Sequence, residues 1–245
     1  MPGLDLDRVY IPLRESDQTL VLNSWKLPSD VYDVIEILRS EAAPREVWTK
    51  VGRLFNSASR LSDCIRVLED ALRPEMEALL TSMESDGSRK VELLVSLAGA
   101  YILQGLEASE KETDYHHMLE QAASVLNQAE ALNVNNPLLW EAKAWKEFYN
   151  NDFDRARSFF ETAASIGNTS AGGKLGMAAL LLNFKESGES ESLFRSTMLE
   201  FHCPVSAWLG LAHAFLANGQ LRNAEEAFER VLHQSAEDYR PEAIE

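Results

Sequence analysis

The chain has 245 residues, of which 45% are hydrophobic, so it is long enough to form one or two domains with a sizeable core. Its 39 acidic residues outnumber the 23 basic ones, and the resulting formal net charge of −16 disfavours contact with a nucleic-acid backbone. Two cysteines, no long apolar run and no signal-peptide pattern predict an intracellular protein of a reducing compartment, without a membrane span.

Residues 1–44 predict a strand-like segment followed by a capping helix. Two β-prone runs, VYIPL from residue 9 and TLVL from residue 19, flank the polar sequence ESDQ and predict a hairpin, with Pro12 marking an edge strand. An isolated hairpin is marginally stable, so it must pack on the helices that follow or pair with a partner. We therefore predict partner contacts for four residues of the first run: Val9, Tyr10, Ile11 and Leu13.

The capping helix is predicted to begin after Pro28-Ser29-Asp30, because an Asp before an apolar-periodic run is typical of a helix N-cap. Its apolar residues share one face: Val31, Val34, Ile35 and Leu38.

From residue 45 the apolar spacing predicts pairs of helices. The first pair has Trp48, Val51, Gly52 and Phe55 on the inner face of one helix, and Cys64, Leu68 and Ala71 on that of the next. This places the Cys64 thiol in a packing position. The segment that follows, residues 73–90, predicts the end of a helix and then an exposed loop at Asp86-Gly87.

The second pair carries an insertion. Its inner positions are Leu97, Ala98 and Tyr101 in the first helix, and Ala122, Leu126 and Ala129 in the second. The small positions 98 and 122 are twice as far apart in the sequence as the equivalent positions 144 and 156, so about 12 extra residues lie near 105–117. His116 and His117, within this polar stretch, predict a solvated pair rather than a metal site, because adjacent residues point to different helix faces.

The last three pairs repeat with a period of about 34 residues and are predicted to begin at 137, 171 and 205. Four columns carry the repeat: Ala144, Ala178 and Ala212; Ala156, Ser190 and Ala224; Phe160, Phe194 and Phe228; and Ala163, Thr197 and Val231. Small residues recur where two helices approach closely, and aromatic residues recur where a gap must be filled. The pattern resembles the tetratricopeptide repeat (TPR). We predict an all-α fold with five such helix pairs between 45 and 236, stacked into a right-handed superhelical solenoid with a concave groove.

The sequence IGNTSAGGKLG (residues 166–176) resembles a phosphate-binding loop but departs from its spacing. In that motif a Lys follows the second glycine directly and a hydroxyl residue follows the Lys, whereas Gly173 precedes Lys174 here and Leu175 follows it. The alternative is a junction between repeats, in which Gly167 caps a helix with a positive φ while Gly172 and Gly173 begin the next one. Lys174 would then stand where the flanking repeats have tryptophan, and we expect looser packing there. We predict no catalytic residue, no cofactor and no metal site.

The groove of a TPR array is lined by first-helix residues off the packing face. In the last three repeats these are predicted to be Glu141, Trp145, Phe148 and Tyr149; Leu175, Ala179, Leu182 and Asn183; and Leu209, His213 and Leu216. Such an apolar groove predicts burial of an extended partner segment or of the chain's own next helix. The groove positions of the first repeat, Thr49 and Arg53, lack the Lys and Asn residues with which chaperone-binding TPR domains clamp a terminal carboxylate. Residues 237–245 are predicted to begin a further, truncated repeat, so we expect the chain to be part of a longer protein.

Several segments, in order along residues 8–236, resemble one family of TPR proteins. They include VYIPLRESDQTLVL, the helix VIEILRSEAAP, LAGAYILQ with its insertion, GGKLGMAALLL, the HCP turn at Cys203-Pro204 and LGLAHAFLANGQLRNAEEAFERVL. The chain is identified as similar to the N-terminal region of the TPR scaffold subunit of the RNA polymerase II-associated factor (PAF) complex. The resemblance implies a nuclear, non-enzymatic scaffold that forms a heterodimer with the namesake subunit of the complex.

The resemblance further implies contacts with other PAF subunits, indirect association with elongating RNA polymerase II, and support of histone modification, without direct binding to nucleic acid or membrane. Two alternatives stay open from the residues alone: a TPR adaptor in RNA processing or transport, and a nucleotide-binding enzyme that uses the 166–176 loop.

Overall fold

A computed structural model describes residues 8–14, 18–83, 87–108, 112–167, 170–201 and 205–238. These ranges form a two-stranded ribbon, one short 3-10 helix (Ser24–Lys26) and twelve α-helices. The strands are β1 (Arg8–Pro12) and β2 (Thr19–Asn23). The helices are α1 (Val31–Ser40), α2 (Arg45–Ser57), α3 (Leu61–Asp70), α4 (Pro74–Met83), α5 (Ser88–Glu107), α6 (Glu112–Leu132), α7 (Pro137–Tyr149), α8 (Phe153–Ile166), α9 (Ala171–Asn183), α10 (Ser187–Glu200), α11 (Val205–Ala217) and α12 (Leu221–Asp238).

The chain divides into two compact units, residues 1–142 and residues 143–245, called here the amino-terminal and carboxy-terminal units. In the amino-terminal unit, β1 and β2 pair antiparallel, with Tyr10 opposite Val21 and Val9 opposite Leu22. The alternation of a strand turns Val9, Ile11 and Leu22 inward, where all three are buried, and β1 contacts α2. The hairpin therefore packs on the helices of its own chain. Residues 15–17 of the predicted turn lie outside the described residues.

The predicted capping helix is α1. The Asp30 carboxylate accepts a hydrogen bond from the Tyr32 N–H at 2.9 Å, as an N-cap residue does. All four residues of its predicted apolar face are buried. The helix is fixed to α3 by Arg39, which donates a hydrogen bond through Nε to the buried Asp70 carboxylate at 2.6 Å.

The first helix pair, α2 and α3, is packed as the sequence pattern indicates. Trp48 is fully buried, and its indole N–H donates to the Ala43 carbonyl at 2.9 Å. A Cβ added to Gly52 would lie 2.8 Å from Leu68 Cδ2, so this position needs a residue without a side chain for the two helices to meet. Cys64 is buried at the predicted small position, and this burial raises the pKa of its thiol to about 12.

The segment after α3 differs in part from the prediction. Gly87 of the predicted loop is exposed between two helices, as expected, but residues 74–83 form a separate helix, α4, which buries Met76 and Leu80. The buried Arg45 of α2 holds it in place by donating hydrogen bonds to the Glu77 carboxylate at 3.0 Å and the Thr81 hydroxyl at 3.2 Å. Asp86 of the predicted loop lies outside the described residues.

The insertion in the second pair also takes an unexpected form. The extra residues lengthen both helices, so that α5 and α6 have 20 and 21 residues, and the described part of 105–117 is largely helical. The inner residues Leu97, Ala98, Ala122 and Leu126 are buried as predicted. The two histidines at 116 and 117 lie exposed on α6.

The last three pairs begin with α7, α9 and α11 at residues 137, 171 and 205, and each is followed by its partner helix. Residues from 143 onward belong to the carboxy-terminal unit. The alanine column at 144, 178 and 212 is fully buried. Ser190 replaces alanine in the second column, and its hydroxyl is accommodated because it donates to the Ala178 carbonyl at 2.8 Å. The connections within the last three pairs also recur with the period of the repeat, since Asn151, Lys185 and Gly219 all have a left-handed φ of 60–72°.

The phenylalanine column packs against a column of small residues that the sequence pattern did not single out. A Cβ added to Gly176 would lie 3.0 Å or less from three atoms of the Phe160 ring, and one added to Gly210 would lie 2.9 Å or less from three atoms of Phe194. Each of these Phe rings thus rests on a glycine in the first helix of the next repeat.

One expectation for residues 166–176 is wrong. Gly167 ends α8 with a φ of −169°, which is extended backbone, so its glycine is not explained by a left-handed cap. The looser packing expected at Lys174 than at Trp208 stays a prediction. The rest of the junction agrees with the prediction: Ser170 caps α9 by accepting from the Gly173 N–H at 3.1 Å.

Three further predictions lie wholly or partly outside the described residues. They concern residues 168 and 169 of the junction, the Cys203-Pro204 turn, and the start of a further repeat at 237–245. Of the last segment, residues 237 and 238 belong to α12.

Candidate partner-binding groove

The carboxy-terminal unit contains an open apolar groove with a volume of about 690 Å³, formed by the first helices of its three repeats. Two aromatic residues of α7, Trp145 and Phe148, lie at one end of the lining. The other lining residues are Leu175, Ala179, Leu182 and Asn183 of α9, Phe194 of α10, and Ser206, Leu209, Gly210, His213 and Ala217 of α11. No side chain of this lining carries a formal charge when His213 is neutral.

The structure brings together eight of the eleven predicted groove residues: Trp145, Phe148, Leu175, Ala179, Leu182, Asn183, Leu209 and His213. The other three lie elsewhere. Glu141 is buried, Leu216 is 44% exposed on α11 without lining the groove, and Tyr149 is half-buried behind Trp145. Along α11 the lining runs from Ser206 to Ala217 but leaves out Leu216.

The aromatic end of the groove is held rigid by ring contacts. Trp145 packs edge to face on Phe148 and on Phe160, with centroids 5.5 and 5.7 Å apart, and stacks on Tyr149 at 5.8 Å. Burial in this cluster raises the pKa of the Tyr149 hydroxyl. Because Phe160 belongs to the core, Trp145 links the groove surface to the packing beneath it.

The polar side chains of the lining are few: Asn183, Ser206 and His213. The side-chain amide of Asn183 donates to the Ala179 carbonyl of its own helix at 3.3 Å, and this bond fixes the orientation of the side chain. His213 is exposed and meets Phe228 edge to face at 5.6 Å. A preformed, mostly apolar concavity with a few polar groups is the form that a site for a peptide or helix takes.

The other predicted sites are placed as follows. Trp140, the tryptophan that stands one repeat before Lys174, is half-buried, and its indole N–H donates to the Val134 carbonyl at 2.7 Å. Of the four predicted contacts on the first strand, Val9 and Ile11 are buried against the chain's own helices, which narrows that prediction to the exposed Tyr10 and the half-buried Leu13.

Sequence reasoning missed four lining residues: Phe194, Ser206, Gly210 and Ala217. The repeat pattern assigns Phe194 to the core, where its ring does lie, yet one part of it also reaches the groove floor. The signal that could have found this is the glycine column, because Gly176 and Gly210 stand one repeat period apart and open the surface above each Phe ring.

Within the described ranges, no three His, Cys, Asp or Glu side chains come together in a way that could hold a metal ion. Likewise, none of the helices described combines the length and apolar character needed to cross a bilayer.

Comparison with known proteins finds similar proteins, among them two named CTR9. The chain is 24% identical over 225 residues to "Protein CTR9 homolog" of Arabidopsis thaliana, and 23% identical over 235 residues to "RNA polymerase-associated protein CTR9" of Caenorhabditis elegans. Each alignment covers 91% of this chain and 20% of the relative, so the chain spans about a fifth of the length of these relatives. No protein-family model matches the chain.

Among solved structures, a thermophilic TPR protein of Thermus thermophilus, TTC0263, superposes with a TM-score of 0.59 at 16% identity, covering 76% of this chain and 89% of that one. This similarity identifies the fold as that of TPR proteins. The predicted resemblance is thus confirmed: the chain has the fold of TPR proteins and is similar, over 91% of its length, to a segment of two proteins named CTR9.

Proposed function

We propose that this chain is the partner-binding TPR segment of a scaffold of the PAF transcription elongation complex, and that it binds the namesake subunit as a heterodimer in the nucleus. The observation that carries the proposal is the similarity of 91% of the chain to two proteins named CTR9, one of which is named as RNA polymerase-associated. Through that subunit and other PAF subunits, the scaffold would associate indirectly with RNA polymerase II and support histone modification.

The form of the carboxy-terminal unit supports a binding role without catalysis. TPR arrays present their first helices to extended partners, and here those helices line an uncharged concavity of about 690 Å³. Leu209 remains 43% exposed within it, and Leu182 is half-buried. A partner segment that covers these side chains gains about 25 cal/mol for each Å² of apolar surface removed from water.

The groove can be tested with two variants of one helix. Leu209 and Leu216 both lie on α11 with nearly equal exposure, 43% and 44%, but only Leu209 lines the groove. Leu209→Glu would place an unpaired carboxylate in the interface, whereas Leu216→Glu introduces the same negative charge outside it. We expect Leu209→Glu to weaken binding of the namesake subunit at least tenfold, and Leu216→Glu to change it less than twofold, in calorimetric titrations.

Trp145→Ala is a poorer test of the same surface, because removing this ring also withdraws contacts from Phe160. Equal binding by both Leu variants would exclude this groove as the contact surface. Equal loss of binding by both would indicate a broader interface than the groove lining.

A further inference from the structure

A second groove lies within the amino-terminal unit and differs from the first in its chemistry. It has a volume of about 340 Å³ and is formed by one face of α2, which contributes Glu46, Thr49, Lys50 and Arg53, and by the start of α5, which contributes Arg89 and Glu92. These are the first helices of the first two repeats, so the groove occupies the position at which TPR arrays receive peptides.

The charges in this second groove do not balance. Lys50 and Arg89 share one carboxylate, that of Glu46, at 2.6 and 3.5 Å. A hydrogen bond from Lys50, followed in size by its Coulomb attraction, lowers the pKa of Glu46, which therefore stays ionised at neutral pH. Two cations thus form ion pairs with a single carboxylate.

The third cation, Arg53, has no carboxylate within ion-pair distance in the described part of the chain. Its guanidinium instead donates a long hydrogen bond of 3.3 Å to the Ser96 hydroxyl. Glu92 lines the same groove without forming an ion pair to a described residue. Arg53 therefore retains donors, in the planar fork that matches a carboxylate, for a group from outside.

The start of α5 adds to the local positive potential. Gly87 occupies the N-cap position of this 20-residue helix and offers no side-chain acceptor to the first N–H groups. The positive end of the helix dipole thus lies next to Arg89 in the wall of the groove.

We propose that this second groove binds an acidic peptide segment of a protein partner, with Arg53 as the principal carboxylate contact and Arg89 and Lys50 as supporting cations. The argument is charge complementarity, because a cationic concavity stands out on a chain whose formal net charge is −16. Repulsion from distant acidic residues is screened beyond roughly 8–10 Å at physiological salt, while the groove cations act at contact distance. The site is too short to follow a nucleic-acid backbone. This inference does not depend on the proposed PAF role.

The test uses a fluorescein-labelled peptide of alternating Asp and Glu, with a peptide of alternating Asn and Gln as its uncharged isostere. Fluorescence anisotropy with the whole chain is expected to show saturable binding of the acidic peptide that weakens as salt is added, and none of the isostere. Since Glu84 and Asp86 precede α5 in the sequence, the titration is repeated with an E84Q/D86N variant, so that acidic residues of the chain itself do not mask the site.

Two neighbouring substitutions are predicted to act in opposite directions. Arg53→Gln removes the principal contact and is expected to weaken binding by about two- to fivefold, while Glu92→Gln removes a repelling charge and is expected to strengthen it by a similar factor. Arg66→Gln is the matched control, because Arg66 is an exposed arginine of α3 that does not line the groove.

The proposal is overturned if neither the wild-type chain nor E84Q/D86N binds the acidic peptide. It is also overturned if the isostere binds equally well, or if Arg53→Gln and Arg66→Gln have the same effect. None of these outcomes bears on the apolar groove, whose Leu209 and Leu216 variants are expected to bind the acidic peptide as the wild type does.

Discussion

Replacing Gly210 by alanine tests how tightly consecutive repeats of the carboxy-terminal unit are packed. Two effects oppose each other in this substitution. Alanine in the interior of α11 is favoured over glycine by about 1 kcal/mol. Its Cβ, however, would lie 2.9 Å or less from three atoms of the Phe194 ring, where ordinary contacts begin near 3.4 Å.

We expect the steric cost to exceed the gain in helix propensity, because Phe194 is 2% exposed within the buried cluster around Ala212 and Phe215 and cannot move aside freely. Overpacking of a core costs about 1–3 kcal/mol, and an overlap this large belongs at the upper end of that range. The net result is a loss of about 1–2 kcal/mol in the free energy of unfolding.

Urea denaturation followed by circular dichroism measures this change, with constant slopes as the check that the same surface is exposed on unfolding. Gly99→Ala is the matched control, since a Cβ at Gly99 in the interior of α5 meets nothing within 4 Å, and it should stabilise by about 0.5–1 kcal/mol. Adding Phe194→Leu to Gly210→Ala should cost less than the two single losses combined, because the smaller side chain leaves room for the new Cβ. If Gly210→Ala stabilised the protein as Gly99→Ala does, the packing of Phe194 on Gly210 would be refuted.

Three further predictions concern single residues. Glu77→Gln should destabilise the protein more at pH 7 than at about pH 3. Burial raises the pKa of Glu77, but hydrogen bonds from Lys90 and Arg45 outweigh burial and lower the pKa overall, so the stabilisation is present above the unfolded-state pKa and is lost as pH falls through the folded-state pKa. Urea midpoints at both pH values measure the effect, and equal losses of stability would contradict it. Cys64, in a chain carrying Cys203→Ser, should react with a thiol reagent only as fast as the protein opens, because burial raises its pKa to about 12; rapid labelling under native conditions would disprove its burial. Lys185→Gly should raise the free energy of unfolding by about 1 kcal/mol, since Lys185 has a φ of 60° where Gly219 stands one repeat later; an unchanged or lower urea midpoint would speak against strain at this turn.

The repeat architecture could be predicted because it depends on residue size at fixed spacing. A small residue is needed wherever two helices touch, so the alanine or serine at 144, 178, 190 and 212 follows the period of the repeat and is buried at each of these positions. The capping helix could be predicted for a different reason, since its N-cap Asp30 and its apolar face are local features of the sequence.

Departures from the regular period were harder to predict. The helix α4 depends on a long-range interaction, because the buried Arg45 of α2, which precedes it by two helices, supplies the partner for Glu77. The insertion in the second repeat could be located from the sequence, but not its form: its residues extend α5 and α6, whose added turns pack on each other at Gly105 and Met118. In both segments tertiary contacts, which the local sequence does not display, decide the outcome.

The groove was predicted only in part for a similar reason. Helical spacing places Leu209 and Leu216 on nearly the same face of α11, two turns apart, but only Leu209 lines the groove. The extent of the groove along each helix depends on how neighbouring helices cross, and this is set by close contacts such as Phe194 on Gly210.

The mass of the complex formed with the namesake PAF subunit tests the central claim most directly. The two chains are co-expressed, purified through a tag on the subunit, and analysed by size-exclusion chromatography with light scattering at micromolar concentration. The account predicts one peak whose mass equals one copy of each chain, 27.5 kDa of it from this chain, with a higher melting temperature than the free chain. Separate elution of the two chains under these conditions would contradict it.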